Sequence, residues 1–303
     1  MKDITKSSII ICSIVRNAEK GLVKNIPVIK SLCQKFADYK IIIYENDSTD
    51  RTKKILQSWM NEDKAHVVAL LNNRNPSKTI PALKDVNANP FFSYKRIENM
   101  AALRNQYMKY IEQNGLVADY LMVVDLDVAQ LFLSAIMSSF GDDKPCWDAV
   151  TAYGYSTSPS LKRRYHDTYA LVELNAMEFP QTEKSIKNAA LLFADQLKKN
   201  IWIQVDSAFG GLAIYRFECI KGLYYQVLTN NDNRVEVRCE HQSIYQQMRQ
   251  QGHKNVFVNP QMLLKYQDLT LKIVWNSIIR RILMLSISLM KKLACRNNNT
   301  NNL

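Results

Sequence analysis

The sequence predicts an α/β fold in which helices flank a mainly parallel central sheet. Strand and helix patterns alternate through residues 1–127, and this alternation is typical of parallel strands joined by right-handed helical crossovers. Continuous apolar runs at residues 9–15 and 120–124 indicate strands that are buried on both faces. Acid-rich segments at residues 45–50 and 125–127 follow predicted strands, at the edge where parallel sheets bind ligands.

The first half of the chain contains four predicted strands with helices between them. Apolar residues recur with helical spacing after the first strand, and Ser48, Thr49 and Asp50 are competent N-caps for the second helix. A polar loop rich in Asn and Pro follows the third strand. Strands are predicted at residues 9–15, 39–44, 66–71 and 120–124, helices at 21–36, around 55–59 and at 96–112, and the loop at 72–90.

The second half is less regular, and no linker separates it from the first. A turn at Gly210-Gly211 leads into a strand. We therefore expect one domain over residues 1–268, with subregions 1–127 and 128–268. The other predicted elements are strands at 147–155 and 256–258, helices near 184–199 and at 240–251, a helical tail at 269–296 and a disordered end at 297–303.

The tail carries much of the net charge of +12, because six Lys and Arg residues and no acid follow Asp268. This distribution argues against a nucleic-acid-binding surface on the body of the protein. A basic amphipathic helix suits the surface of an anionic membrane but is too short to span it. Packing on the domain or pairing of subunits is the alternative. The apolar positions with helical spacing are Leu271, Val274, Trp275, Ile278, Ile279, Ile282 and Leu285.

The six cysteines are widely scattered and show no zinc-binding spacing. They are typical of reduced residues in a cytosolic protein. The apolar run at residues 9–15 is too short for the core of a signal peptide. We therefore expect a cytoplasmic protein that lies peripherally on the cytoplasmic face of a membrane.

Asp125 and Asp127 form the most informative motif of the chain. Four apolar residues lead directly into them, and the period of two in a strand places both carboxylates on one side. Two such carboxylates at the carboxyl end of a buried strand suit Mn²⁺ or Mg²⁺, which can neutralise a diphosphate. The alternative is a pair of solvated or helix-capping carboxylates.

Six ordered segments within residues 8–262 carry a resemblance to a known family. They are the first strand with Arg16-Asn17-Ala18-Glu19, the acidic segment at 45–52, Ala101-Ala102-Leu103-Arg104-Asn105, Asp125-Leu126-Asp127, the glycine-bearing segment at 209–216, and Cys239-Glu240-His241 at the start of a helix. Together they resemble the GT-A nucleotide-sugar glycosyltransferases, especially the large family 2 type. A closer likeness is to the capsule-associated mannosyltransferase-like group.

The resemblance implies an enzyme with a Rossmann-like GT-A domain. It would move a sugar from a UDP- or GDP-linked donor to a glycan or lipid-linked acceptor, with Mn²⁺ or Mg²⁺, in the synthesis of surface polysaccharides or glycoconjugates. It implies a nucleotide-binding first half and an acceptor-binding second half. The implied site residues are Arg16, Glu45, Asp47, Asp50, Arg104 and Asp125 for the nucleotide sugar, Asp125, Asp127 and His241 for the metal, Asp206, Gly210 and Gly211 for the acceptor, and Glu240 and His241 for catalysis.

Two departures from the family pattern leave alternatives open. Glu45 and Asn46 replace the usual leading acids, so uridine and guanosine both remain possible bases. His241 stands where the family has its catalytic aspartate. Either Glu240 or His241 could be the base, or His241 could be a third metal ligand, because neutral imidazole serves both roles. The inverting or retaining outcome therefore stays open, and a polar stretch at His166-Asp167 is predicted to be a solvated loop.

Two other functions compete with sugar transfer. A nucleotidyltransferase of sugar phosphates would share the nucleotide-binding sheet, but it normally has a glycine-rich phosphate loop after the first strand. Residues 16–21 contain only one glycine, which weakens this alternative. A non-catalytic membrane- or polyanion-binding protein would use the basic charge and would not need Asp127; its binding would depend on salt but not on metal.

Overall fold

A computed structural model describes residues 3–72, 89–141, 143–158, 163–271, 274–275 and 278–279. Within these ranges, ten strands form one sheet with helices on both faces, which confirms the predicted fold class. The strands are β1 (Ser8–Val15), β2 (Asp38–Asn46), β3 (Val67–Asn72), β4 (Tyr120–Val124), β5 (Ala149–Thr157), β6 (Arg163–Tyr165), β7 (Val172–Glu173), β8 (Ile203–Ser207), β9 (Leu212–Arg216) and β10 (Val256–Gln267).

Eight α-helices and two single-turn 3₁₀ helices accompany these strands in the described part of the chain. The α-helices are α1 (Glu19–Cys33), α2 (Thr52–Glu62), α3 (Tyr94–Gln113), α4 (Leu133–Met137), α5 (Glu183–Leu192), α6 (Ala194–Lys199), α7 (Phe217–Ile220) and α8 (Glu240–Gln250). The helix expected near residues 184–199 is thus divided into α5 and α6. None of the described helices is both long enough and apolar enough to cross a lipid bilayer.

The sheet joins a parallel half to a mixed half. Strands β3, β2, β1 and β4 are neighbours in that order, and all three pairings are parallel. Strand β9 is antiparallel to both β4 and β5 and so links the two halves of the chain. Strand β10 is parallel to β5 and antiparallel to β8. The predicted parallel arrangement therefore holds for the first half, and β9 makes the sheet continuous.

Alternate residues of the central strands pack against different helical layers. Ile9 and Ile11 point to the face covered by α1 and α2, and Ile10 and Cys12 point to the face covered by α3 and α8. All four side chains are buried. An uninterrupted apolar run is therefore required in β1, because both of its faces lie in the core.

Strand β10 extends well beyond the short strand expected at residues 256–258. It continues to Gln267, and its pairing with β5 shifts between Asn259 and Leu263. Pro260 lies in this irregularity, where a residue without an N–H group is tolerated in a strand. The extension matters because it carries Tyr266 to the carboxyl end of the sheet.

Some predicted segments lie outside the described residues. These are residues 73–88 of the polar loop and most of the tail and end at 269–303. In the tail, the described side chains of Leu271 and Trp275 are 88% and 65% exposed. The predicted tail helix and the predicted domain limits stay predictions.

Candidate active site

A cavity of about 600 Å³ lies at the carboxyl ends of β1, β2 and β4, where the sequence places the ligand-binding edge. Strands, helices and loops from both halves of the chain contribute to its walls. Six of the predicted site residues line it: Arg16, Arg104, Asp125, Asp127, Glu240 and His241. Further charged or aromatic groups on its walls are Arg96, His166, Asp167, Phe209 and Tyr266.

The turn that carries Asp125 and Asp127 is held by helix α1. Asn25 is fully buried, and its Nδ2 donates to the carbonyl oxygens of Leu126 at 3.1 Å and Val128 at 2.8 Å. A Cβ atom at Gly21 would lie 2.5 Å from the Leu126 oxygen. Only glycine therefore allows α1 to approach the turn this closely, and Asn25 fixes the turn once it is there.

Arg104 connects the acidic turn to the start of α8. It is 3% exposed, and its Nε donates to Glu240 Oε1 at 3.0 Å while Nη2 lies 3.6 Å from Asp125 Oδ1. Its guanidinium also lies over the rings of Phe209 and Tyr225, at 5.1 and 5.8 Å from their centroids. One buried cation thus orients two of the carboxylates that line the cavity.

The carboxylates around Asp125 are incompletely neutralised. Burial raises the pKa of Asp125 to about 7 against the opposing charge of Arg104, and the charges of Asp127 and Asp167 contribute to the rise. The surrounding protein also raises the pKa of Asp127 by partial desolvation, although this side chain is more exposed than Asp125. The pKa of Asp167 rises to about 6 through burial and the nearby Glu240 charge. The protein alone supplies too little positive charge for this cluster.

Glu240 and His241 differ in protonation. Burial would raise the pKa of Glu240, but the interactions with His241 and with the Arg104 charge and hydrogen bond outweigh it and hold the pKa at about 2. Burial and the Arg104 charge lower the pKa of His241 well below its ordinary value, so the imidazole is neutral. Its ring stacks on Phe209 at 3.8 Å, and neither ring nitrogen has a hydrogen-bond partner among the described residues.

The donor set at the acidic turn fits a hard divalent cation. Asp125 and Asp127 offer carboxylate oxygens beside an open cavity, and Mg²⁺ or Mn²⁺ commonly binds to one or two carboxylates plus substrate phosphates. The ligand atoms of Asp125, Asp127 and His241 do not all lie within 4.8 Å of one another. A preassembled centre of these three residues is thus absent, and His241 as a metal ligand stays a prediction.

The predicted nucleotide-binding acids at the end of β2 and after it shape a loop instead of lining the cavity. Glu45 accepts a hydrogen bond from the Ser48 backbone at 2.7 Å. Asp50 accepts from the backbones of Glu19 and Thr52, at 3.1 and 3.0 Å, so it satisfies the first N–H of α2 although Arg51 occupies the N-cap position. Asp47 has a positive φ of 54°. Their direct contact with a nucleotide stays a prediction.

Asp206, predicted to bind the acceptor, does not line the cavity. It is 1% exposed, pairs with Arg249, and accepts hydrogen bonds from the backbones of Ala176 and Met177 at 2.9 and 3.0 Å. These contacts satisfy the carboxylate within the protein. They do not favour an acceptor-binding role, which stays untested.

Gly210 and Gly211, also predicted to bind the acceptor, have backbone roles in the structure. A Cβ atom at Gly210, where φ is +64°, would lie 2.2 Å from the Ala152 oxygen. The Gly211 oxygen accepts from the Asp125 N–H at 2.9 Å. Both glycines thus let β9 approach its neighbours and help to place the acidic turn, and acceptor contact stays a prediction.

His166 and Asp167 line the cavity, whereas their polar surroundings in the sequence predict a solvated loop. Pairing of β6 with β5 brings them there, and the His166 N–H donates to the Gly154 oxygen at 2.9 Å. The His166 ring stacks on Tyr266 at 3.7 Å, and the Tyr266 hydroxyl donates to Asp125 Oδ2 at 3.3 Å. No local sequence motif indicates this arrangement, because it depends on long-range strand pairing.

Solved structures with a similar chain path include three that were determined with nucleotide or sugar ligands. The mannosyltransferase PcManGT of Pyrobaculum calidifontis, in complex with GDP-mannose and Mn²⁺, is 12% identical, with 84% of this chain and 57% of that chain covered and a TM-score of 0.46. Staphylococcus aureus TarS (residues 1–349) with UDP-GlcNAc is 13% identical, with coverage of 87% and 60% and a TM-score of 0.44. GalNAc-T7 with UDP, GalNAc and Mn²⁺ is 13% identical, with coverage of 86% and 45% and a TM-score of 0.42.

The chain spans less than two thirds of the length of these three structures. No curated protein sequence matches it. The family model of cryptococcal mannosyltransferase 1, by contrast, matches residues 8–258, which is most of the chain and includes every residue that lines the cavity except Tyr266. This match confirms the resemblance to glycosyltransferases that the motifs predict, and the chain belongs to the family described as cryptococcal mannosyltransferase 1.

Proposed function

We propose that this protein is a metal-dependent glycosyltransferase that moves a sugar from a nucleoside-diphosphate donor to a glycan or lipid-linked acceptor. The observation that carries the proposal is the under-neutralised acidic turn, Asp125 and Asp127, beside an open cavity at the carboxyl ends of parallel strands. The family description names a mannosyltransferase, so a mannosyl donor is the first to test.

Acidic and basic residues have separate roles in the proposed binding of the donor. A divalent cation held by Asp125 and Asp127 would supply Lewis-acid stabilisation of the departing diphosphate. Arg16 lies directly after β1 and Arg104 lies on α3, and both line the cavity. We assign phosphate binding to these two residues, because arginine matches phosphate oxygens in charge and geometry. Asn25 and Tyr266 orient the acidic turn.

The acceptor hydroxyl must lose a proton as the new bond forms, and Glu240 and His241 are our proposed groups for that step. Both line the cavity within reach of one ligand. His241 is neutral and has no hydrogen-bond partner among the described residues, so it can accept a proton. Glu240 is ionised against Arg104. Asp167 is a third candidate on the same wall, and the anomeric configuration of the product, read by NMR, separates inversion from retention.

We also propose that the protein binds the cytoplasmic face of a membrane through its tail. The exposure of Leu271 and Trp275 supports an apolar surface that the domain does not cover, and the surrounding charge is basic. Sedimentation with phosphatidylcholine vesicles, with and without phosphatidylserine, tests this. Binding that needs the anionic lipid and weakens in Trp275→Ser supports membrane attachment, and no binding to either vesicle contradicts it.

The donor class and the metal site can be tested together by thermal unfolding. UDP, GDP, CMP and their common sugar conjugates are added with and without Mn²⁺ to the wild type, to Asp127→Ala and to Asp143→Ala. Asp143 is an exposed acid paired with Lys144 and serves as the matched control. We expect one nucleotide to raise the Tm only with Mn²⁺, in the wild type and the control but not in Asp127→Ala. No shift with any nucleotide in a folded protein would overturn the proposal.

A further inference from the structure

A second cluster of potential ligands lies at the other end of the sheet from the cavity. Strand β9 runs from Leu212, opposite Val124, to Arg216, opposite Tyr120, so its last residues lie at the amino end of β4. Cys219 follows on α7, Asp148 directly precedes β5, and His253 follows α8. Asp125 lies beyond the carboxyl end of β4, and the two sites therefore do not share residues.

Three different donor atoms face one another in this cluster. Asp148 Oδ1 lies 3.8 Å from Cys219 Sγ and 3.8 Å from His253 Nδ1. One ligand atom from each of the three residues lies within 4.8 Å of the other two. Among the described residues, no other set of three His, Cys, Asp or Glu side chains meets this condition.

The distance between His253 and Asp148 matches a shared metal better than a direct hydrogen bond, whereas the Cys219 thiol donates a weak hydrogen bond to Asp148 Oδ1. An imidazole nitrogen that donates to a carboxylate lies about 2.7–3.2 Å from it, which is well below the 3.8 Å seen between His253 and Asp148. Zinc–ligand bonds of about 2.0–2.3 Å place neighbouring donors in a tetrahedron about 3.3–3.6 Å apart. A contraction of a few tenths of an ångström would bring Asp148 Oδ1 to this spacing from each of the other two donors.

The backbone presents Asp148 rigidly to the cluster. Its N–H donates to the Asn255 oxygen at 2.8 Å, and its own oxygen accepts from the Arg216 N–H at 2.9 Å. The Asn255 N–H donates to Oδ2 at 2.8 Å, which leaves Oδ1 directed at the other two donors. Hydrogen bonds of this kind orient metal-ligating carboxylates.

The other two ligands, Cys219 and His253, differ in their exposure to solvent. Cys219 is 1% exposed, so its sulfur is shielded from solvent. The His253 side chain is 32% exposed, which leaves a path for an ion and space for a water molecule. Structural ions typically combine a shielded sulfur with ligands drawn from several elements.

We propose that Asp148, Cys219 and His253 bind a borderline-soft divalent cation, with Zn²⁺ as the best match and water in the fourth position. Thiolate and imidazole ligands select Zn²⁺ over Mg²⁺ and Mn²⁺, whereas the oxygen donors at Asp125 and Asp127 favour the latter two. As the cation binds, the Cys219 thiol releases its proton to solvent. The ion joins the start of β5, helix α7 and the loop after α8, and so stabilises the second half of the domain.

Cobalt spectroscopy on the full chain tests the site, because Co²⁺ bound to a thiolate absorbs in the near ultraviolet. The chelator-treated protein is titrated with Co²⁺ in the wild type, Cys219→Ser, His253→Asn and Cys239→Ser. Cys239 is the matched control, since its thiol lines the cavity. We expect one equivalent with a thiolate band in the wild type and in Cys239→Ser, bleached by Zn²⁺, and loss of the band in the other two variants.

Several results would overturn the site. They are the absence of a thiolate band in the wild type, its survival in Cys219→Ser or in His253→Asn, or its loss in Cys239→Ser. Thermal unfolding gives an independent measurement: Zn²⁺ should raise the Tm of the chelator-treated wild type by several degrees and leave that of His253→Asn unchanged. Because His253 is partly exposed, this variant should fold even if Cys219→Ser does not.

Discussion

Asp206 is a buried carboxylate and Asp125 a largely buried one at the edge of the cavity, but the protein balances their charges very differently. Asp206 pairs with Arg249 and accepts two backbone hydrogen bonds. Asp125 has a Tyr266 hydroxyl at 3.3 Å and Arg104 at 3.6 Å, and two further carboxylates lie close enough to raise its pKa. Asp206 thus holds the fold together, whereas Asp125 is left with charge that an external cation can balance.

The difference has an energetic meaning. A buried charge that is fully paired and hydrogen-bonded costs the fold little, and removal of its partner is strongly destabilising. A buried carboxylate without such partners destabilises the folded state until a ligand neutralises it. Functional sites are where proteins keep such imbalances, so the two regions should respond to substitution in opposite ways.

The largest effect is expected for Asp127→Asn. It removes the proposed cation ligand without changing side-chain volume, and we expect a loss of about 100-fold or more in kcat/KM for the proposed transfer from a nucleotide sugar. The Tm without metal should stay level or rise, because one of the mutually repelling charges is gone. Donor turnover and thermal unfolding check both statements. A large fall in Tm would show that Asp127 stabilises the fold as Asp206 does.

The opposite result is expected for Asp206→Asn. The substitution leaves Arg249 without its buried partner, and we expect a loss of about 3 kcal/mol in the free energy of unfolding. The Mn²⁺-dependent binding of the nucleotide should persist under conditions where the variant is folded. Chemical denaturation and ligand-induced stabilisation give the two values. Loss of sugar transfer with donor binding and stability intact would instead support the predicted acceptor-side role of Asp206.

A smaller effect concerns pH in the presence of a chelator. The pKa of Asp125 is about 7 in the folded protein against 3.8 unfolded, so the folded state binds more protons between these values. Its stabilising contribution is complete below pH 4 and is lost as the pH rises through 7. Asp125→Asn removes this dependence. The stability of Asp125→Asn relative to the wild type should therefore rise by about 2 kcal/mol from pH 5 to pH 8.

The comparison with Asp125→Asn is necessary because other groups titrate in the same range. Asp167, with a pKa of about 6, acts in the same direction as Asp125. Burial lowers the pKa of His166 to about 4 and that of His241 well below its ordinary value, and both histidines favour folding as the pH rises. The wild-type curve alone therefore does not isolate Asp125. If the difference in unfolding free energy between Asp125→Asn and the wild type does not change with pH, the uncompensated negative charge assigned to the acidic turn is contradicted.

Local patterns predict the first half of the fold well. Strands such as β1 and β4 lie in the core on both faces, so their sequences are continuous apolar runs. The carboxyl ends of parallel strands share one edge, and for this reason the positions of Arg16, Asp125 and Asp127 directly after predicted strands indicate that they lie together. Arg104 and Glu240 also reach the cavity, because their motifs begin or line helices beside that edge.

The remaining site residues could not be predicted from the sequence, because contacts between distant parts of the chain bring them together. His166 and Asp167 enter the cavity through the β5–β6 hairpin, and Tyr266 enters because β10 continues past Pro260. The Asn25 amide binds a turn about a hundred positions away in the chain. Asp148, Cys219 and His253 come from three separate elements. Neither the spacing of residues along the chain nor the composition predicts such contacts, since residues distant in sequence approach one another only after the sheet has formed.

The smallest effect is expected for Tyr266→Phe, which removes one hydroxyl and keeps the ring that stacks on His166. The hydroxyl donates to Asp125 at 3.3 Å, a long hydrogen bond to a charged group, and we expect a cost of about 1 kcal/mol. This corresponds to about a fivefold rise in the apparent Kd for Mn²⁺ and a similar fall in kcat/KM. Tyr266→Leu removes both the hydroxyl and the stack and should reduce activity further. An unchanged Kd and kcat/KM in Tyr266→Phe, with a loss in Tyr266→Leu, would mean that the ring, and not the hydroxyl, positions Asp125.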